Sequence, residues 1–415
     1  MTPSTRRLTL AVALIVGISC RDDSTAPTAP AAEAEPSLAT AVAALSFRLV
    51  TAGTYHSCGL TTDNRAYCWG GNAEGQLGDG TNAYRSRPSA VTGGLTFLQL
   101  SAGSNHTCGV TTDNRAFCWG YNAEGQVGDG RVSSCGFADY PPCTGINADR
   151  NRPTRVLGGL LFRQIDGGEL HTCGVTTADR AYCWGNNFYS QLGEGVPSTH
   201  RSTPVPVADG RSFREVSAGS THSCGVTYSH KAFCWGSNRH GQLGDGTAER
   251  RRSRPTLVAG GHLFAQISTG GQQLEGHTCG VTTGNRAFCW GSGRLGQIGY
   301  GGANIRQPSP RAVSGGLSIK QVSAGLLHSC GVTTENRAYC WGDNSFGGLG
   351  DGTTTRRFTP VGVKGGLSLN RVSAGGGQTC GKTTSNVAYC WGDEISLGDG
   401  TNTQRLTPVR VVGPM

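Results

Sequence analysis

The stretch SAGSNHTCGVTTDNRAFCWGYNAEGQVGDG, residues 101–130, decides the fold because it recurs along the chain. Two cysteines ten positions apart, Cys108 and Cys118, flank a Thr-Thr-Asp-Asn-Arg turn, and a tryptophan follows the second cysteine. Six further pairs share the spacing: Cys58 with Cys68, Cys173 with Cys183, Cys224 with Cys234, Cys279 with Cys289, Cys330 with Cys340 and Cys380 with Cys390. All seven tryptophans directly follow the second cysteine of a pair. The first cysteines advance in steps of 50, 65, 51, 55, 51 and 50 residues, a period that marks a propeller or another repeat architecture.

Composition agrees. Of 415 residues 66 are glycine, roughly twice the usual ~7 %. Each glycine in a helix interior costs about 1 kcal/mol against alanine, so a bundle or a Rossmann enzyme is disfavoured. One copy divides into four short strands: Phe47–Thr51, Ser57–Thr61, Arg65–Trp69 and Pro88–Val91. Asp63 and Asn64 tolerate left-handed backbone and suit the turn between the middle two. Four strands in each of seven copies predict an all-β, seven-bladed β-propeller of four-stranded blades. The repeats fall at approximately 45–94, 95–159, 160–211, 212–261, 262–316, 317–366 and 367–413.

The spacing also predicts a register. If Cys58 faces Cys68, then His56 faces Gly70, Ser57 faces Trp69, Gly59 faces Tyr67 and Leu60 faces Ala66, so large residues meet small ones across the ladder. Directly opposed cysteines on antiparallel strands lie within disulfide reach. We therefore expect seven disulfides within the blades, and an eighth between Cys135 and Cys143.

Residues 1–20 read as a lipoprotein-type signal peptide. Arg6 and Arg7 precede the apolar stretch Leu8–Ile18, which is too short to span a bilayer. Small residues then lead to Cys20, resembling the lipobox whose cysteine is acylated in bacterial lipoproteins. Residues 21–44 carry nine alanines and three prolines with no periodic apolar face, and read as a tether reaching about 25–30 Å as a coil. Residues 45–413 are the propeller. The expected location is the cell envelope, by lipid anchor, or otherwise secreted. An oxidising compartment suits the paired cysteines.

The repeated motif resembles the regulator of chromosome condensation family, whose pattern runs G-x-x-H-[ST]-x-x-[LV]-T…G-x-[VA]-[YF]-x-W-G-x-N-x-x-G-Q-L-G-x-G. The resemblance spans residues 45 to 413 in all seven copies and implies the seven-bladed propeller. Cysteines at two positions per copy depart from the nuclear members and suit an exported bacterial branch, similar in kind to the secreted type II β-lactamase inhibitory protein. The resemblance implies a binding module with no catalytic residue and no cofactor. An alternative it implies is exchange-factor activity on a small GTPase, against which export argues.

Several motifs invite chemistry. A histidine precedes the first cysteine by two in six copies: His56, His106, His171, His222, His277 and His328. With two thiolates such a histidine has the donors for zinc. Copy seven keeps both cysteines but carries Gln378 instead, and no fourth ligand recurs, so no metal is expected. Asp79, Asp129, Asp245, Asp351 and Asp399 supply one carboxylate per copy, which suits a turn better than a calcium cage. Gly291–Gly296 matches a dinucleotide fingerprint but lacks the following helix. The net charge of +9, with 32 arginines and the run Arg250, Arg251, Arg252 and Arg254, allows a polyanion binder. Solvated loop arginines are the blander reading, and nucleic acid is not expected.

The loops differ between the two faces of a propeller. The Thr-Thr-Asp-Asn-Arg turn is nearly constant, whereas the loops before the histidine and after the tryptophan vary. The varying positions mark a partner-binding face: Tyr55, Asn105, Tyr121, Leu170, Phe188, Tyr189, Arg239, His240, Arg294, Leu327 and Phe346. Phe137 and Tyr140, inside the expected Cys135–Cys143 loop, belong to the same set. Aromatics and arginines on loops of a rigid scaffold make interface hot spots. The expected partner is an extracytoplasmic protein or a glycan, and the head is expected to be a monomer touching membrane through its lipid alone.

Overall fold

The structure, a computed structural model, describes residues 45–133, 148–247, 249–272 and 275–414. Among these residues, seven antiparallel sheets of four consecutive strands each are present. In blade 1 the strands are β1 (Phe47–Ala52), β2 (His56–Thr61), β3 (Ala66–Gly70) and β4 (Arg85–Ala90). The first strands of successive blades touch one another and line a central channel. The fourth strand is outermost, which suits the prolines it carries, such as Pro88.

The register is the expected one. Cys58 pairs with Cys68, His56 with Gly70, Ser57 with Trp69, Gly59 with Tyr67 and Leu60 with Ala66. The strand bounds shift by a residue except on the outside, where β4 begins at Arg85 and ends at Ala90 rather than running Pro88–Val91. The early start has a cause: Arg85 donates from Nε to Asp79 at 2.9 Å, pinning the strand across a register shift between Cys68 and Gly70.

The seven cysteine pairs ten residues apart all form disulfides, with Cα separations of 4.0 to 4.1 Å. Cys58 is bonded to Cys68, Cys108 to Cys118, Cys173 to Cys183 and Cys224 to Cys234. Cys279 is bonded to Cys289, Cys330 to Cys340 and Cys380 to Cys390. This bonding removes the thiolates a zinc site needs. Each disulfide packs at the seam with a neighbouring blade. Cys58 and Cys68 sit in one apolar cluster with Leu77 of their own blade and Phe97 and Trp119 of the next. Phe97 and Trp119 pack with ring centroids 5.9 Å apart, and Phe47–Trp69, Phe162–Trp184, Phe213–Trp235 and Phe264–Trp290 repeat the contact. Gly59 is small because Phe47 lies on it: a Cβ there would stand 2.4 Å from the ring.

The ring closes without strand exchange, since Leu369–Ala374, Gln378–Thr383, Ala388–Gly392 and Arg405–Arg410 form the last blade alone. Hydrogen bonds to blade 1 complete the circle. Phe47 N donates to Asn386 O (2.8 Å), Trp69 Nε1 to Ser396 O (2.9 Å) and Gln378 Nε2 to Gly53 O (2.9 Å). Cys20, Cys135, Cys143, Phe137 and Tyr140 lie outside the described residues, as do the signal and tether segments.

Candidate functional site

The recurring histidines join neighbouring blades. His56 Nε2 lies 2.7 Å from Thr107 Oγ1 of the next blade, and the relation repeats for His106–Thr172, His171–Ser223, His222–Thr278, His277–Ser329 and His328–Thr379 at 2.8 to 2.9 Å. Each hydroxyl has already committed its proton: Thr107 donates to Gln76 O (2.8 Å) and Thr172 to Gln126 O (2.8 Å). The imidazole must therefore donate from Nε2, which leaves Nδ1 unprotonated. Burial holds these rings neutral, down to about 3 for His56, His171, His222 and His277, and about 4 for His106 and His328. The carbonyl that accepts the hydroxyl also accepts the next tryptophan, as Gln76 O does from Trp119 Nε1 at 3.0 Å. The histidines and tryptophans thus serve the scaffold.

Two further belts surround the channel. Serine, threonine or aspartate side chains on the innermost strands accept from the next blade's backbone, as in Ala102 N to Thr51 Oγ1 and Gly167 N to Ser101 Oγ. Asp166 occupies the same place and accepts from Ala218 N at 2.9 Å. Two residues earlier on the innermost strands of blades 2, 3, 5 and 6, Gln99, Gln164, Gln266 and Gln321 each clamp both the N–H and the C=O of a residue in the next blade. Glu215 replaces glutamine in blade 4 and accepts from Ile267 N at 2.7 Å. Burial pushes this carboxyl up to about 7. These belts leave little scope for the channel wall to adapt.

The two loop faces differ for a structural reason. The constant turn is an inter-blade fastener: Asn64, at φ 67°, offers its carbonyl to Phe97 N of the next blade at 2.9 Å, and Asn114 does the same for Phe162. On the other face the short loops after the innermost strands form a collar, with Thr54 N bonded to Gly103 O, Ser104 N to Gly168 O and Glu169 N to Gly219 O. The residues that project above this collar are held by backbone contacts.

Over the collar lies a cup of about 310 Å³. Tyr55, Asn105, Tyr121 and Leu170 line it together with Glu74, Glu169, Gln272 and Leu326. The expected binding positions are therefore partly united: four share one concavity. The other described positions stand on loops of the same face but outside the cup. Phe188 and Tyr189 form an edge-to-face pair at 5.0 Å, with Phe188 62 % exposed. Phe346 is 52 % exposed, Arg239 is exposed and His240 half-buried. Arg294 approaches Glu275 at 3.6 Å, and Leu327 yields its expected place to its neighbour Leu326.

Sequence reasoning passed over the acidic side of the cup. Glu74 shares a hydrogen bond with Asp149, and burial together with that contact pushes Glu74 up to about 7. Burial, then Glu124, Asp149 and Glu74, drives the Tyr121 phenol up to about 12. The available signal was the Ala-Glu pair at 73–74 and 123–124, which blades 3 and 4 replace with Phe188-Tyr189 and Arg239-His240.

The GDG aspartates hold their turns. Asp79 accepts from Thr81 N, Thr81 Oγ1 and Arg85 Nε at 2.7 to 2.9 Å, and Asp245, Asp351 and Asp399 repeat the pattern with Arg252, Arg357 and Arg405. Asp129 pairs with Arg150. Much of the arginine excess is consumed in this way. Within the basic run, Arg252 also pairs with Glu249 and Arg254 with Asp209. The Gly291–Gly296 segment begins at the last residue of the strand Ala287–Gly291 and runs into a loop that leads to another strand, Gln307–Ala312.

Two profiles described as the regulator of chromosome condensation (RCC1) repeat match the chain. One covers residues 47–76, 97–126, 162–191, 213–242 and 319–347, the other 63–110, 179–226, 229–274, 285–332 and 335–381. The chain is 28 % identical over 310 residues to the ultraviolet-B receptor UVR8 of Arabidopsis thaliana, covering 73 % of this chain and 67 % of the receptor. It is 32 % identical over 213 residues to the probable E3 ubiquitin-protein ligase HERC4 of Mus musculus, covering 50 % of this chain but 20 % of the ligase. Among solved structures, human WBSCR16 is similar at a TM-score of 0.72 and 20 % identity, covering 84 % of this chain and 95 % of that one. Prp20p of Saccharomyces cerevisiae is similar at 0.65 and 20 % identity, covering 79 % and 80 %. At these identities the structures speak for the fold.

Proposed function

The chain belongs to the regulator of chromosome condensation repeat family, and on that footing we propose that it is a non-catalytic binding module of the cell envelope. It captures a protein partner on the loop face that carries the cup. The observation that supports this reading most is the asymmetry of the faces. Both faces fasten blades through backbone bonds, but the collar face holds Tyr55, Phe188 and Phe346 in the open, whereas the turn face exposes Tyr228, whose hydroxyl is held by Asp179. Protein binding has precedent on this fold: Prp20p binds Gsp1p and histones.

Seven disulfides fit an oxidising, exported environment. That compartment supports the envelope reading over nucleotide exchange on a GTPase, whose setting is reducing. In this reading Cys20 carries the lipid, residues 21–44 are the tether and residues 45–413 the head. Replacing Phe188, Tyr189 and Phe346 together with alanine should abolish capture of the native partner from the envelope fraction. Asp63→Ala with Asp113→Ala, on the opposite face, should leave capture intact. The reverse pattern would overturn the assignment.

A further inference from the structure

The chain carries a net charge of +9, yet the cup has the opposite sign. Glu74 and Glu169 line it, Asp149 backs Glu74, and no lysine or arginine is among the described residues of its wall. Tyr55 and Tyr121 supply aromatic surface, and Leu170 and Leu326 supply apolar surface for an alkyl stem. Aromatic faces attract cations through their quadrupole, and a carboxylate bonded to an ammonium or guanidinium makes the stronger class of hydrogen bond. Long basic side chains bury their methylenes while the charge seeks a polar partner. A neutral or acidic side chain would find no complementary charge here.

We infer that the cup binds a lysine or arginine side chain presented by the captured protein partner. The inference rests on the loop face being the capture surface. Glu74 and Glu169 take the charge, Tyr55 and Tyr121 wall the head group, and the two leucines receive the stem. Burial and the Asp149 contact raise Glu74 to about 7, and a cation seated beside it would favour its ionised form.

The test titrates the full chain with blocked tetrapeptides of lysine, arginine and glutamine, read by calorimetry. Saturable binding of the two basic peptides is expected, with binding of the glutamine peptide at least tenfold weaker. Glu74→Gln with Glu169→Gln should weaken the basic peptides tenfold or more, with an unchanged melting temperature to exclude unfolding. Raising salt from 0.05 to 0.5 M should weaken binding several-fold. Equal binding of the glutamine peptide, binding retained in the double variant, or no saturation by 10 mM would each overturn the inference. If the basic peptides fail while capture is still lost in the Phe188, Tyr189 and Phe346 variant, the capture face stands and the cup assignment falls. If the peptides bind through Glu74 while capture survives that variant, the capture-face reading falls and the cup remains a cation site.

Discussion

His106 donates from Nε2 to Thr172 Oγ1 at 2.9 Å across the seam between blades 2 and 3, and Thr172 passes its own proton to Gln126 O. Protonation would leave this bond in place but would put a charge and a second N–H, on Nδ1, into a buried site with no acceptor for it. Folded-state values of about 3 to 4, against 6.5 for the ordinary group, mean that the unfolded chain binds more protons as pH falls below 6.5. The histidine contribution to stability is therefore complete above about pH 7 and declines as pH falls from 6.5 towards 3, with a slope of up to ~1.4 kcal/mol per pH unit for each histidine. Melting temperatures across this range check the slope. His106→Gln, which copies Gln378 of blade 7, should fold and flatten it.

Glu215 has the opposite sign. Its carboxyl titrates at about 7 when folded and 4.5 ordinarily, so the folded chain holds the extra proton between those values. Stability from this group is full below 4.5 and lost as pH rises to 7. Glu215→Gln restores the double clamp that Gln164 and Gln266 make. It should stabilise increasingly above pH 4.5, by up to ~3 kcal/mol at pH 8, as read by denaturant unfolding at pH 5 and pH 8.

Mass mapping of a non-reduced digest should find the seven pairs ten residues apart and Cys135–Cys143. Free thiols or pairs between blades in the exported protein would contradict this. Each within-blade bridge closes about eleven residues, worth at most ~2.8 kcal/mol. Replacing Cys58 and Cys68 with serine should cost more than that loop term alone, because the pair also fills the contact with Phe97 and Trp119.

Cys20→Ala should move the protein from the membrane to the soluble fraction while leaving its export intact. Identical partitioning of the two proteins would remove the lipid anchor from the proposal.

The blades were legible because their signals are local. A ten-residue cysteine spacing sets one hairpin register, and a tryptophan beside it marks the third strand. The channel belts were not legible, because Gln99 and Glu215 look like ordinary polar residues until the ring places the next blade's backbone against them. The start of β4 depended on Asp79 reaching Arg85 from a loop. The cup was half legible. Variation between copies pointed to Tyr55, Tyr121 and Leu170, but Glu74 and Glu169 come from blades that meet only around the bore.

Among the described residues each sheet is woven from one repeat, and the last joins the first by packing and hydrogen bonds with no shared strand. Any connector between repeats is consequently an equivalent place to open the circle. A gene rotated by one repeat would encode the same strand neighbours, and duplicating a whole repeat would lengthen the wheel without orphaning a strand. What such a rearrangement must preserve is a pair of matching edges, an imidazole (or the Gln378 amide of blade 7) and a carbonyl on one side, a hydroxyl and an indole on the other.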